Sequence, residues 1–127
     1  MTENEIATEI VDAAFKIHVA YGPGLLESAY SALMVHLLTR RGLNVEAEKP
    51  IPLLIDGVVL STAFRADLVV EGKVIIELKS IVKVQDVHKK QLLTYLRISS
   101  LKLGLLINFG ELLIRDGITR IVNGKLE

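Results

Sequence analysis

The sequence predicts an α+β or mixed α/β single domain, residues 1–127, with elements in the order ααββββαββ. Three observations predict it. Two amphipathic helical patterns open the chain; apolar, β-branched runs broken at Asp56-Gly57 and Glu71-Gly72 fill the middle; a further helical pattern separates these from a last buried run. A length of 127 residues fits one core of ordinary size.

Taken in order, Thr2 to about Ala20 reads as a helix. Thr2 and Glu5 have capping-box spacing, and Ile6, Ile10, Ala13, Ala14 and Ile17 recur at three and four. Tyr21-Gly22-Pro23-Gly24 then breaks the chain. A second helix runs from Leu25 to Arg41 with Leu26, Ala29, Leu33 and Leu37 as its apolar side. Arg40 and Arg41 suit the negative end of its dipole, and Gly42 suits the C′ position. Within it Glu27, Tyr30 and Met34 share another stripe.

Leu43 to about Ile55 is extended, and Pro50 and Pro52 confine it to an edge or a strand start. Asp56-Gly57 is a type I′ hairpin signal leading into Val58 to Leu60. Phe64 to Lys79 follows as a second hairpin. A third main helix runs from Asp86, as N-cap, to Ser99; Val87, Leu92 and Leu96 are apolar, while His88, Gln91 and Tyr95 form a polar stripe. Leu103 to Phe109 is a buried strand, Ile114 to Val122 a weaker strand or strand pair, and the tail from Asn123 is polar.

Fifteen basic and fifteen acidic residues cancel, so the chain lacks the global basic footprint of a dedicated duplex binder. There is no cysteine, which excludes disulfides and thiolate zinc sites. No signal-peptide pattern opens the chain, and no apolar run reaches the ~18 residues of a membrane helix. A soluble, cytoplasmic protein with no membrane contact is the expectation. An apolar fraction of 50% is high for so small a domain and hints at a buried homo-oligomer interface, such as that of a homodimer.

The chemistry concentrates between Phe64 and Lys79. Asp67, Glu77 and Lys79 interrupt runs that otherwise belong in a core, and charges are almost never buried without a partner or a metal. Glu77 and Lys79 are two apart and share a strand face. A three-residue loop, Val70-Glu71-Gly72, pairs Val69 with Lys73 and Asp67 with Ile75, setting Asp67 diagonally beside Glu77. A two-residue Glu71-Gly72 loop would turn Asp67 away, but its type I′ geometry needs a positive φ that Glu71 tolerates poorly. Two carboxylates beside a lysine on one face would suit a divalent cation and an activated water. The competing reading is a structural salt-bridge cluster, a poor stabiliser compared with apolar packing.

These residues resemble a known pattern. Asp67 followed by Glu77-Leu78-Lys79 is similar to the D…ExK signature of the PD-(D/E)xK nuclease superfamily, and Gly24-Leu25-Leu26-Glu27-Ser28-Ala29-Tyr30 resembles the motif that names the GxxExxY protein family. Phe64-Arg65-Ala66-Asp67, His88 to Leu96 and Lys102 to Gly110 match further segments of that family. The resemblance implies a restriction-endonuclease-like mixed β-sheet flanked by helices. It implies a Mg²⁺ or Mn²⁺ ion held by Asp67 and Glu77, a water oriented or activated by Lys79, and a further acid in Glu27. Gln91, with Tyr95, would correspond to the motif on the following helix. Ala66 stands where the superfamily's name has proline.

The implied activity is phosphodiester hydrolysis, with DNA as the leading substrate and RNA left open. Arg65, Lys83, Lys89, Lys90 and Arg97 could form a basic rim, and His88 is either a solvated residue or a substrate contact. Tyr30 reads as core with its hydroxyl tied, and His18 and His36 as structural. Two other outcomes stay open: a catalytically idle nuclease-fold binding module, and an enzyme acting on another phosphate ester.

Overall fold

The computed structural model describes residues 1–126; Glu127, the end of the polar tail expected from Asn123, lies outside the described residues. Helix α1 spans Glu3–Tyr21, with the Thr2/Glu5 capping box formed. Its buried positions include Ile6, Ile10 and Ile17. Burying each isoleucine contributes about 1.5–3 kcal/mol, against about 1 kcal/mol for the cap, so packing dominates.

Helix α2 spans Glu27–Arg40. Its buried residues are Tyr30, Met34 and Leu38, while the expected leading residue Leu26 is 77% exposed and Leu33 and Leu37 only flank the core. The helix is apolar on two adjacent stripes, and tertiary packing selected the one with Tyr30. Gly42 takes a φ of 84° after the last turn, and Leu43 N–H donates back to Leu38 O.

Five strands follow: β1 Val45–Ile55, β2 Val58–Val70, β3 Val74–Lys79, β4 Leu103–Asn108 and β5 Ile118–Val122. They lie in the sheet in that order. Only β3–β4 is parallel, joined through α3, Asp86–Ser99. The sheet is therefore mixed, as expected. Three strands rather than four precede α3, because the stretches before and after Ser61 belong to one 13-residue strand, β2. The last region is not a strand pair: a four-residue helix α4, Ile114–Gly117, precedes β5.

Residues on one face of the sheet pack with α1, α2 and α4, and those on the other with α3. All six residues of β4 are buried, as befits a strand covered on both sides. No helix among the described residues is long and apolar enough to cross a membrane.

Two turns set the registers. Asp56 and Gly57 take φ of 48° and 76° between Ile55 and Val58, the two-residue turn expected. The second hairpin closes on Glu71-Gly72-Lys73 instead of Val70-Glu71-Gly72, pairing Val70 with Val74. Glu71 does adopt a positive φ, 55°. Its N–H donates to Asn44 O and its carboxylate accepts from Asn44 N–H, which extends the β1–β2 ladder by one step and holds the turn. The pairing slips by two from the expected register, so Asp67 keeps its face but stands opposite Glu77 itself.

Candidate active site

Asp67 and Glu77 meet where the β2–β3 ladder gives out. Its last regular pair is Leu68–Ile76. One step on, side chains replace the backbone ladder. Asp67 N–H donates to Glu77 Oε2 and Leu78 N–H donates to Asp67 Oδ2, both at 2.8 Å. Each carboxylate thus uses one oxygen to hold the other's strand. The second oxygen of each has no protein donor among the described residues.

Both acids are half-buried. Burial pushes the Glu77 carboxyl up to about 7, with the Asp67 charge adding to the effect and the Asp67 N–H and Lys79 opposing it. Asp67 is also raised, by burial first and by the Glu48 charge, against the Leu78 N–H and Lys79. Lys79 is half-buried at the end of β3, two residues beyond Glu77. No ion pair among the described residues includes it. A closed salt-bridge cluster is therefore not what holds these charges.

Glu27 reaches the same region from the first turn of α2. Tyr30, fully buried and stacked on Phe109 at 4.2 Å, donates its hydroxyl to Gly22 O and accepts from Leu25 N–H at 3.1 Å. Ser80 Oγ donates to Leu25 O at 2.9 Å. These bonds tie the loop before Glu27 to the end of β3. Tyr30 is core with its hydroxyl tied, as the sequence indicates. A cavity of about 300 Å³ opens between Glu27, Ser28, Ser31, Glu48, Asp67 and Leu78.

Glu48 is an unforeseen neighbour. It falls opposite Asp67, between the Ala47–Leu68 and Lys49–Ala66 pairs, with a φ of 49° inside a strand. Counting back from the Asp56-Gly57 turn would put Glu46 there. Between the Leu53–Leu60 and Ile51–Phe64 pairs, however, Pro52 stands against three residues of β2, and this bulge shifts the register by two. Asn108 is the other residue the sequence reading missed. Fully buried, it donates from Nδ2 to Ile81 O and accepts at Oδ1 from Ile81 N–H and Gly110 N–H, fastening the chain just after Lys79. A polar residue ending the apolar run of β4 was its only signal.

On α3, Tyr95 stacks on Phe64 with ring centroids 3.8 Å apart. Burial raises its phenol, and the charges of Glu77 and Asp67 raise it further, which places it within electrostatic reach of the acids. Gln91 lies one turn earlier and is exposed. His88 Nδ1 accepts from Gln85 N–H at 3.0 Å, so His88 serves the start of the helix, whose N-cap is Gln85 and not Asp86. Arg65, Lys83, Lys89, Lys90 and Arg97 are all exposed. His18 is buried with Nε2 2.7 Å from Glu111 O, a structural role. Asp67 and Glu77 are thus bonded to each other, with Lys79 and Tyr95 within electrostatic reach, while no hydrogen bond or ion pair among the described residues joins Gln91, His88 or Arg65 to them.

The donor set fits a hard cation. It offers carboxylate oxygens that repel one another while half-buried, and Mg²⁺ is satisfied by one or two carboxylates with water and substrate oxygens. No three Asp, Glu, His or Cys side chains among the described residues converge closely enough to hold an ion alone. The fit is to a shared shell, not a protein cage. A larger cavity, about 560 Å³ between α1 and β5, is lined by Val11, Phe15, Leu105 and Ile118 with Asp12 and Arg120 among its polar residues, and holds a single carboxylate rather than a pair.

Comparison with family models matches the PD-(D/E)XK nuclease superfamily over residues 4–121. Among solved structures, the crystal structure of SSO0001 is similar, with a TM-score of 0.54 at 23% identity. The match covers 98% of this chain and 63% of that one, so the chain spans less than two thirds of its length. No curated protein matches.

Proposed function

The chain belongs to the PD-(D/E)XK nuclease superfamily, and from that membership we propose that residues 1–127 form a divalent-metal-dependent phosphodiester hydrolase acting on DNA. Within the superfamily we place it in the GxxExxY family, on the match from Gly24 to Tyr30. The observation that carries the reading is the reciprocal bonding of Asp67 and Glu77, which brings the two carboxylates together and leaves one oxygen of each without a protein donor among the described residues. Asp67 and Glu77 would hold Mg²⁺ or Mn²⁺. Such an ion supplies Lewis acidity toward phosphate and a water of lowered pKa.

The chain's own residues do the rest. Lys79, in no ion pair among the described residues, orients the attacking water or steadies the scissile phosphate. Glu27 adds negative charge from the helix side of the cavity. Gln91 and Tyr95 position water or substrate from α3, and Arg65 and His88 contact the substrate at the rim. A homodimer in the cytoplasm is the working form we infer, supported by the apolar composition and the absence of cysteine.

Purified protein should cut plasmid or oligonucleotide DNA with Mg²⁺ or Mn²⁺ and not with a chelator present. Glu77→Ala and Lys79→Ala should each lower the rate by ~100-fold or more while the circular-dichroism spectrum stays native. Unchanged cleavage in both variants would remove these residues from the reaction. A second reading, an idle binding module, is favoured by the zero net charge. Calorimetric titration with Mn²⁺ separates the two: binding that Asp67→Ala abolishes supports the enzyme, and no binding supports the module.

A further inference from the structure

We propose that Tyr30 and Ser80 are positioning residues: through the loop before α2 they hold Glu27 in register with Lys79. This role rests on the nuclease reading, in which both residues serve one reaction. Glu27 needs such help. It opens α2 behind Leu26, an N-cap residue with no side-chain oxygen, and no side-chain cap bond forms there. The loop ahead of it holds Gly22 and Gly24, and a Cβ at either would meet nothing within 4 Å. Packing at those positions therefore does not fix the loop. Helix ends fray, and a frayed first turn would carry Glu27 out of the cavity it shares with Asp67.

Two hydroxyls close the loop instead. Tyr30, three residues beyond Glu27, donates to Gly22 O and accepts from Leu25 N–H at 3.1 Å. Ser80 Oγ donates to Leu25 O at 2.9 Å. Both backbone polar groups of Leu25, two residues before Glu27, are thus held by side chains. On the strand side, Lys79 O accepts from Phe109 N–H at 2.8 Å. The Phe109 ring stacks on Tyr30 with centroids 4.2 Å apart and planes within 7°.

These contacts form a closed circuit. It runs from Lys79 to Phe109, Tyr30, Leu25 and Ser80, and Ser80 follows Lys79 in the chain. Tyr30 and Phe109 are fully buried, and Lys79, Leu25 and Ser80 are half-buried. A close-packed interior yields little, so a displacement at one end of the circuit is passed to the other. Packing accounts for the ring of Tyr30 but not for its oxygen. A phenylalanine would stack on Phe109 equally well and bury no polar atom. The oxygen serves only the loop that leads into Glu27.

Tyr30→Phe keeps the stack and removes one link; Ser80→Ala removes the other. In metal-free protein the Leu25 amide should exchange ~10-fold or more faster in either variant, with the Leu105 amide unchanged. With Mg²⁺ and an oligonucleotide DNA substrate, each variant should lower kcat by ~10–100-fold and leave KM within about 2-fold. On a Glu27→Gln background neither should lower kcat further, because the group they position is gone. Leu38→Val, buried in the same helix but outside the circuit, should lower stability and keep kcat within about 2-fold. A loss of kcat that persists in full on Glu27→Gln, or that Leu38→Val reproduces, would reduce Tyr30 and Ser80 to structural residues and overturn the proposal. Unchanged exchange at Leu25 would overturn it too. A wild type that cuts no nucleic acid fails the nuclease reading instead, and the exchange measurement, which needs neither metal nor substrate, still decides whether the circuit holds the loop of Glu27.

Discussion

Burial and the facing Asp67 charge give Glu77 a proton affinity that the unfolded chain does not share. Folded, it holds its proton to about pH 7; unfolded, it releases it near its ordinary 4.5. Across that window the folded state binds the extra proton, so stability falls as pH rises from 4.5 to 7 and then levels. Asp67, also raised, acts in the same sense. Glu5 and Asp12 are held below their ordinary values by Thr2 and by Arg41 and act oppositely, but below this window. Melts of metal-free protein should therefore show ~1–3 kcal/mol more stability on the acid side of this window than above it. Glu77→Gln should flatten the slope and melt above wild type at alkaline pH; a wild-type slope of opposite sign would contradict the burial argument. Asp67, Glu77 and Lys79 were legible in the sequence because each interrupts an apolar run. Glu48 was not, because no residue announces that Pro52 faces three partners.

Among the elements, the join between β4 and the loop after β3 is the tightest. A Cβ at Gly110 would stand 2.0 Å from Ile81 O, against backbone that Asn108 already fixes. Gly110→Ala should cost ~2–3 kcal/mol or more and lower cleavage by shifting the chain just past Lys79. Gly24→Ala, whose Cβ meets nothing within 4 Å, should stay within ~0.5 kcal/mol of wild type. Chemical denaturation of the two variants checks both. The helices and the Asp56-Gly57 turn could be read from periodicity and turn chemistry. The buried face of α2 could not, since Leu26-Leu33-Leu37 and Tyr30-Met34-Leu38 are both apolar stripes and only the tied Tyr30 hydroxyl distinguishes them. The Glu71 turn escaped because its positive φ depends on Asn44, 27 residues away.

For the molecule as a whole, a net charge of zero bears on the proposed activity by limiting how DNA could be held. On that proposal, attraction would come from the exposed Arg65, Lys83, Lys89, Lys90 and Arg97. Each neutralised phosphate contributes about −0.9 to the slope of log K against log salt. Five contacts would give roughly −4 to −5 per protomer. Binding of a cleavage-dead variant, titrated over salt by fluorescence anisotropy, should not exceed that; a slope twice as steep would demand basic residues beyond this group.

The sheet also keeps its strands in the order of synthesis. Both acids of the clasp sit on one hairpin closed by Glu71, Gly72 and Lys73, so bringing them together costs little loop entropy. The parallel pairing of β3 with β4 must wait for the 14 residues of α3. A nascent chain thus presents its paired acids before its core is sealed, and a cation captured at that stage would favour completion of the fold.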